Sequence, residues 1–283
     1  MKFVNLSTRL ICMATILFTV ASTLPAGLES AELSALEVMQ AVENRDDGET
    51  MISKLTMILI DKKKHKRVRK IMGFRKDYGK DVKSINFFLS PPKIKNTSFL
   101  SYDWDDENKE DDNWLYLPAL RKDKRISAAG KKDPFMGSDF SYSDMNGLEL
   151  IDWQYRFKKR SVKIKGIDCW AIEGVPKKER ADKVIEETGY WKTETWVRKD
   201  IFMAIRSKLY VVEEVKSNKK IKYFMVGDIT QIQGIWTAKK LSMKTTKNKR
   251  TEHRTILLFD DIVYNQGVDD ALFNRQQMKI GPP

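Results

Sequence analysis

A long series of short stretches rich in large and β-branched residues limits the fold of this chain more than any other feature. From Thr50 to Asp260, turn residues separate these stretches at short spacing. Consecutive strands at such spacing are typical of an antiparallel meander. The predicted strands are Thr50–Asp61, Arg67–Arg75, Val82–Leu89, Ile94–Tyr102, Trp114–Leu117, Lys124–Ser127, Tyr155–Lys165, Cys169–Val175, Gly189–Lys199, Met203–Val212, Lys220–Ile229, Ile235–Thr245 and Arg250–Asp260.

A flat sheet of so many strands would leave long edges open to pairing with other chains. Curling into a barrel or half-barrel removes or shortens those edges. The sequence therefore predicts a mainly β protein built on one highly curved antiparallel sheet. The mouth of such a sheet is a natural site for an apolar ligand.

One amphipathic helix precedes the strands. Ser34 and Glu37 have the spacing of a capping box, and Gly48 follows the end of the helical pattern. We expect this helix to cover the apolar face of the sheet or to plug its mouth. Lys177–Glu187 is predicted as a short helix or a loop, and Asp269–Phe273 as a short terminal helix. The apolar face of the first helix contains Ala35, Val38, Met39 and Val42.

The first residues have the pattern of a secretory signal peptide. Lys2 and Arg9 precede the apolar run Leu10–Val20, and small residues follow it. We expect residues 1–31 to be the signal, with cleavage near Ala26 or Ala31, and 32–283 to be one domain. The alternative is an uncleaved membrane anchor. In a bacterium, export places the protein in the periplasm.

The net charge of +13 would by itself suggest nucleic acid, an anionic membrane or an acidic partner. Export makes nucleic acid an unsuitable partner. Lys62–Lys70 and Lys216–Lys222 are the densest basic runs. Two interpretations stay open for them: solvated hairpin tips, or docking onto anionic lipid headgroups or an acidic transporter surface.

The sequence contains no recognisable catalytic or metal-binding motif. Its histidines, His65 and His253, and the cysteine Cys169 lack metal-ligand spacing, and no G-x-S-x-G elbow is present. The acidic stretch 103–113 lacks EF-hand spacing, which favours a hairpin connection over a calcium site. We therefore expect neither an enzyme nor a metal or cofactor.

The stretch Trp114–Asp144 combines basic residues with an apolar tip at Phe135–Met136. Here the sequence resembles the outer-membrane lipoprotein-sorting protein family, the LolA-like proteins often encoded beside RND-type exporters. The resemblance lies in Trp114–Lys122, Arg125–Ile126, Phe135–Tyr142 and Asp144, and more weakly in Tyr190–Lys199, Gly234–Trp236 and Asp269–Phe273.

The resemblance implies an incomplete antiparallel β-barrel with a helical lid around an apolar cavity. It also implies a periplasmic carrier for acyl chains of lipoproteins or lipids, which works with an inner-membrane RND-type exporter. The alternative is a non-carrier accessory subunit of an RND- or MMPL-type transporter. An anionic membrane surface is a further possible contact.

The ligand-binding residues expected on this basis come from the motif and from the first helix. We expect Asp139 or Asp144 to pair with Arg121 or Arg125, which would hold the Phe135–Met136 tip over the mouth of the cavity. The full ligand-binding set is Trp114, Tyr116, Phe135, Met136, Phe140, Val38, Met39 and Val42.

Overall fold

Thirteen strands form one antiparallel sheet in this computed structural model, which describes residues 32–106, 109–213 and 219–283. The predicted signal peptide lies outside the described residues. Among the helices described, none is both long and apolar enough to cross a membrane. The strands are β1 Thr50–Asp61, β2 Lys66–Tyr78, β3 Asp81–Ser90, β4 Ser98–Asp103, β5 Asp112–Leu117, β6 Lys122–Arg125, β7 Trp153–Ile164, β8 Ile167–Pro176, β9 Tyr190–Arg198, β10 Met203–Val211, β11 Lys220–Ile232, β12 Ile235–Lys247 and β13 Arg250–Tyr264.

The sheet runs β6-β5-β4-β3-β2-β1-β13-β12-β11-β10-β9-β8-β7. β1 and β13 pair in the middle, and β6 and β7 are the two edge strands. The predicted class, a mainly β protein with an incomplete antiparallel barrel, is confirmed, because the sheet stays open between β6 and β7.

Three short α-helices accompany the sheet: α1 Ala35–Glu43, α2 Ala181–Thr188 and α3 Gln277–Ile280. The predicted capping box of α1 is confirmed. Ser34 Oγ accepts a hydrogen bond from the Glu37 N–H at 3.2 Å, and Glu37 Oε2 accepts one from the Ser34 N–H at 2.7 Å. Of the short helix and the loop expected for Lys177–Glu187, the helix forms, and it is α2.

Some predicted boundaries shift. The strand expected from Ile94 begins at Ser98, because Pro92–Ile94 form a 3-10 turn and proline cannot donate to a strand ladder. The strand expected at Lys124–Ser127 lies at Lys122–Arg125. The terminal helix is a 3-10 turn at Asp270–Leu272, and α3 follows it without having been predicted.

Strand alternation gives the sheet two apolar faces. We call inner the face that carries Met57, Phe99 and Leu257, and outer the face that carries Phe87 and Leu100. On the outer face, the C-terminal segment covers the apolar cluster with Val268, Phe273 and Met278. What covers the inner face decides where a ligand can lie.

Candidate functional site

Residues 126–152, which we call the crossing segment, join one edge strand to the other. The segment contains 3-10 turns, irregular backbone and one isolated β-bridge between Pro134 and Ser141, and its aromatic side chains belong to the inner-face cluster. The Phe135 ring centroid lies 5.2 Å from that of Phe99 and 5.5 Å from that of Tyr142. The crossing segment therefore covers the inner face and takes part in its core.

The expected apolar tip is a turn that points into this core. Met136 and Gly137 both have positive φ, 51° and 70°, in the left-handed region that glycine adopts readily. Arg69 of β2, itself buried, donates a hydrogen bond from Nη1 to the Met136 carbonyl at 2.7 Å. Phe135 and Phe140 are 3% and 4% exposed. The two rings are thus part of the closed interior.

Asp139 attaches the crossing segment to β12 and β13. Its fully buried carboxylate accepts hydrogen bonds from the Thr255 hydroxyl at 2.8 Å and the Thr245 N–H at 3.1 Å. The same carboxylate lies 2.7 Å from His253 Nδ1. The Asp139 N–H donates to Thr255 Oγ1 at 3.0 Å. These contacts satisfy both carboxylate oxygens, as a buried charge requires.

Asp144 makes a second attachment, to β9 and β11. Tyr190 donates its hydroxyl to Asp144 Oδ1 at 2.9 Å, and Lys222 Nζ lies 3.3 Å from Asp144 Oδ2 and 2.8 Å from the Tyr190 oxygen. Burial, with Asp144 nearby, raises the pKa of Tyr190 well above its usual value of 10. Tyr190 therefore stays protonated and keeps donating to Asp144.

The structure corrects the expected charge pairs. Asp139 and Asp144 reach the strands of the opposite half of the sheet, whereas Arg121 and Arg125 lie on the β5–β6 hairpin. Arg125 pairs with Asp112 across that hairpin, Nε to Oδ1 at 2.8 Å. Arg121 is exposed at the hairpin turn. The crossing segment is held by charges, but by partners on distant strands.

Trp114 and Tyr116 lie on the other side of the sheet from the crossing segment. Alternation along β5 puts Leu115 against the inner cluster and both aromatics in the outer one. The Trp114 ring lies 5.0 Å from that of Tyr102, whose hydroxyl donates to the Phe273 carbonyl at 2.7 Å. These two side chains serve the packing of the C-terminal segment.

The α1 residues continue the inner face. Val38, Met39 and Val42 pack against Ile172 and Val197 of β8 and β9. Tyr155 of β7 touches both this group and the inner cluster. The helix and the crossing segment therefore cover neighbouring parts of the same apolar face.

Three carboxylates meet at one end of the crossing segment. Oxygen atoms of Asp103, Asp111 and Glu149 all lie within 4.8 Å of one another. Burial and the charges of Asp111 and Glu149 raise the pKa of Asp103 to about 8. Hard cations favour such oxygen ligands. The sequence did not indicate this cluster, because Glu149 lies outside the acidic stretch.

The contacts of His253 do not form a hydrolytic triad. Its Nδ1 faces Asp139, as in a catalytic dyad, but the nearby Thr255 hydroxyl donates to Asp139 and not to the ring. A nucleophile hydrogen-bonded to its base is the geometric requirement. Within the described ranges, the imidazole rings of His65 and His253 make their side-chain hydrogen bonds to Asp61 and Asp139, and none to a serine, threonine or cysteine side chain.

Sequence reasoning missed the residues on the strands that hold the crossing segment. Arg69, Tyr190, Lys222 and Thr255 carry polar groups on the covered face of the sheet. A usable signal existed, since Lys222 and Thr255 are polar residues at inward positions of otherwise alternating strands. Their partners became visible only with the strand order.

Comparisons with known proteins agree with this architecture. A family model with the description "uncharacterized protein-like" matches residues 80–280. A search of the curated proteins returns no match.

Solved structures with the same fold cover nearly the whole described chain. A DUF1329 family protein from Desulfovibrio piger is 25% identical, with a TM-score of 0.75 over 86% of this chain and 97% of that one. A putative outer membrane lipoprotein-sorting protein domain from Vibrio parahaemolyticus is 27% identical, with a TM-score of 0.74 over 87% and 98%. A LolA superfamily protein from Nitrosomonas europaea shares the fold at 14% identity, with a TM-score of 0.63 over 87% and 100%. The chain therefore belongs to the family of that model, is similar to a DUF1329 family protein and to an outer-membrane lipoprotein-sorting protein domain, and has the LolA-like fold.

Proposed function

We propose that this protein is a periplasmic carrier that binds acyl chains of lipoproteins or lipids against the inner face of its open sheet. In this proposal, the crossing segment closes the face when no cargo is bound and moves aside to admit it. The relative from Vibrio parahaemolyticus, described as a putative lipoprotein-sorting protein, supports this class of cargo.

The observation that carries the proposal is how the crossing segment is held. Its aromatic side chains fill the apolar inner face, but the segment is attached through polar contacts, among them those of Met136, Asp139 and Asp144. Strand pairing would hold the crossing segment by backbone hydrogen bonds along its length, whereas individual polar contacts can be exchanged for hydrogen bonds with water. A bound acyl chain would lie between the sheet and the Phe135 and Phe140 rings, and would exchange their contact with the sheet for contact with its own apolar surface.

The transfer partner is proposed on the sequence resemblance. We propose that the carrier exchanges cargo with an inner-membrane RND-type exporter, because the LolA-like proteins that the sequence resembles are often encoded beside such exporters. Residues 1–31 supply the proposed export signal. The lining proposed for the bound acyl chain is Val38, Met39, Val42, Phe135, Met136 and Phe140.

The decisive experiment measures cargo directly. The protein is purified without detergent and extracted for mass spectrometry, and a fluorescent fatty-acid probe is titrated into the delipidated sample. We expect co-purified lipid and saturable probe binding that unlabelled fatty acid displaces. Absence of both bound lipid and probe binding would contradict carriage.

A variant pair tests whether the crossing segment controls access. Asp139→Asn weakens one attachment, and we expect faster probe uptake than in the unaltered protein. Asp228→Asn makes the same chemical change at an exposed position and serves as the control. Equal uptake rates in the two variants would show that the crossing segment does not control access to the inner face.

One observation favours a second candidate, a non-carrier accessory subunit of an RND- or MMPL-type transporter. Phe135 and Phe140 already fill the inner face, as a permanently packed interior would require. This candidate predicts crosslinking to the transporter together with failure to bind the acyl probe.

A further inference from the structure

Basic side chains gather at one end of the sheet. In an antiparallel sheet, successive turns lie at alternate ends. The β1–β2, β3–β4 and β5–β6 turns share one end, and Asp61 pairs with His253, so β13 starts at that end too. The β12–β13 and β10–β11 connections therefore also lie there. We call this the basic end.

The cations of the basic end are exposed and largely unpaired. Glu213 forms ion pairs with Lys220 and Lys247, which accounts for two of the lysines there. Asp123 likewise pairs with Arg275 and Lys279, whereas twelve further exposed basic residues form no ion pair within the described part of the chain. They are Lys62, Lys63, Lys64, Lys66, Arg67, Lys93, Lys95, Arg121, Lys122, Lys219, Lys249 and Arg250.

The opposite end differs in charge near the same strands. The β4–β5 connection and the strand end before it carry carboxylates, namely Asp103, Asp105, Glu110 and Asp111. In the half of the sheet formed by β1 to β6, the positive charge is thus distributed unevenly along the strand direction. Such a distribution orients a protein in the field of an anionic surface.

Large apolar side chains protrude among these cations. Leu120 in the β5–β6 turn is 63% exposed, and Ile280 at the end of α3 is 68% exposed. Ile280 belongs to this end because the Met278 carbonyl accepts a hydrogen bond from Ser98, the first residue of β4. Val212 and Trp191, also exposed, lie beside the paired residues Val211 and Tyr190 at the same end.

We propose that the basic end docks onto an anionic phospholipid bilayer, with Leu120, Trp191, Val212 and Ile280 entering the headgroup region. Cations interspersed with exposed apolar side chains suit a bilayer interface, where lipid headgroups pair with the charges and the acyl boundary contacts the apolar groups. A protein interface would instead gather its apolar residues into one packed centre. The docking deepens the proposed carrier function, since it sets the Asp139 attachment near the membrane.

Vesicle co-sedimentation tests the docking. The purified full chain is mixed with vesicles of phosphatidylcholine alone, or of phosphatidylcholine and phosphatidylglycerol in equal amounts. We expect binding to the anionic vesicles that high salt reverses, and much weaker binding to the neutral ones. Equal binding to both vesicle types would overturn the proposal.

A matched pair of charge reversals assigns the surface. Lys63→Glu/Lys64→Glu changes the β1–β2 turn, and Lys163→Glu/Lys165→Glu makes the same change at the β7–β8 turn of the opposite end. Each basic residue near an anionic surface contributes about fivefold to binding, so the first variant should bind at least about tenfold more weakly than the second. Equal losses would mean that net charge alone is responsible and would overturn the assignment.

The apolar part is tested separately. Leu120→Ser/Ile280→Ser should weaken vesicle binding, whereas Trp236→Ser/Val263→Ser, at exposed positions away from the basic end, should not. Binding of polyglutamate without binding to anionic vesicles would indicate an acidic protein partner and contradict the bilayer. Acyl-probe binding measured on the same variants separates docking from carriage. A variant that loses vesicle binding should still bind the acyl probe.

Discussion

Asp139 Oδ2 lies 2.7 Å from His253 Nδ1, and this contact joins the middle of the crossing segment to the start of β13. The Asp139 side chain is fully buried, while that of His253 is 22% exposed. The contact is one of a few polar points at which an irregular segment is fixed over an apolar sheet face. Several consequences of this arrangement are measurable.

Removing the Asp139 charge should loosen the crossing segment. Asp139→Asn keeps the shape but replaces one acceptor oxygen with a donor amide that faces donors. We expect a loss of about 1–3 kcal/mol in the free energy of unfolding, measured by urea denaturation. Asp228→Asn should change it by less than about 0.5 kcal/mol. Similar values for the two variants would contradict an anchoring role for Asp139.

Breaking the second attachment should cost more. Lys222→Met leaves the Asp144 carboxylate without its cation at a site where both side chains are nearly buried. We expect a loss of about 3 kcal/mol, because an unpaired buried charge remains. Tyr190→Phe removes only a hydroxyl and should cost less. If Tyr190→Phe proved the more damaging change, the Lys222–Asp144 pair would not be the main attachment.

The interior position of Phe135 gives a third prediction. Phe135→Ala should lower the free energy of unfolding by about 3–5 kcal/mol, as truncation of a buried aromatic ring does. Leu120→Ala, at an exposed turn, should stay within about 0.5 kcal/mol. Thermal or chemical denaturation distinguishes them. A small effect at Phe135 would contradict the position of its ring in the closed interior.

The carboxylate cluster predicts a pH dependence of stability. Because the pKa of Asp103 rises from 3.8 to about 8 on folding, the folded protein binds more protons than the unfolded chain between these values. Stability should therefore fall as the pH rises through this window.

Asp103→Asn should remove much of this dependence and raise stability at pH 8, while Asp228→Asn should leave it intact. Denaturation midpoints measured across the window provide the test. A stability that increases between pH 5 and 8 equally in both variants would show that Asp103 does not control it.

The strand series and the helix cap were readable from the sequence because they depend on local patterns. The apolar and β-branched stretches and the Ser34–Glu37 spacing involve neighbouring residues, and they appear in the structure as strands and as a capping box, as expected. The Trp114–Asp144 motif indicated the family without any knowledge of contacts. Element boundaries moved where proline intervened, as before β4.

The sequence by itself determined the fold class, an open and mainly β sheet with a capped helix. It also singled out Trp114–Asp144 as the stretch with the candidate site. Only the tertiary structure decided what that segment does. Strand order brings β9, β11, β12 and β13 under it, so Asp139 and Asp144 find partners far along the chain and not the nearby Arg121 and Arg125. Face alternation likewise separates Trp114 from Phe135. These outcomes depend on long-range register, which a local pattern of residue types does not contain.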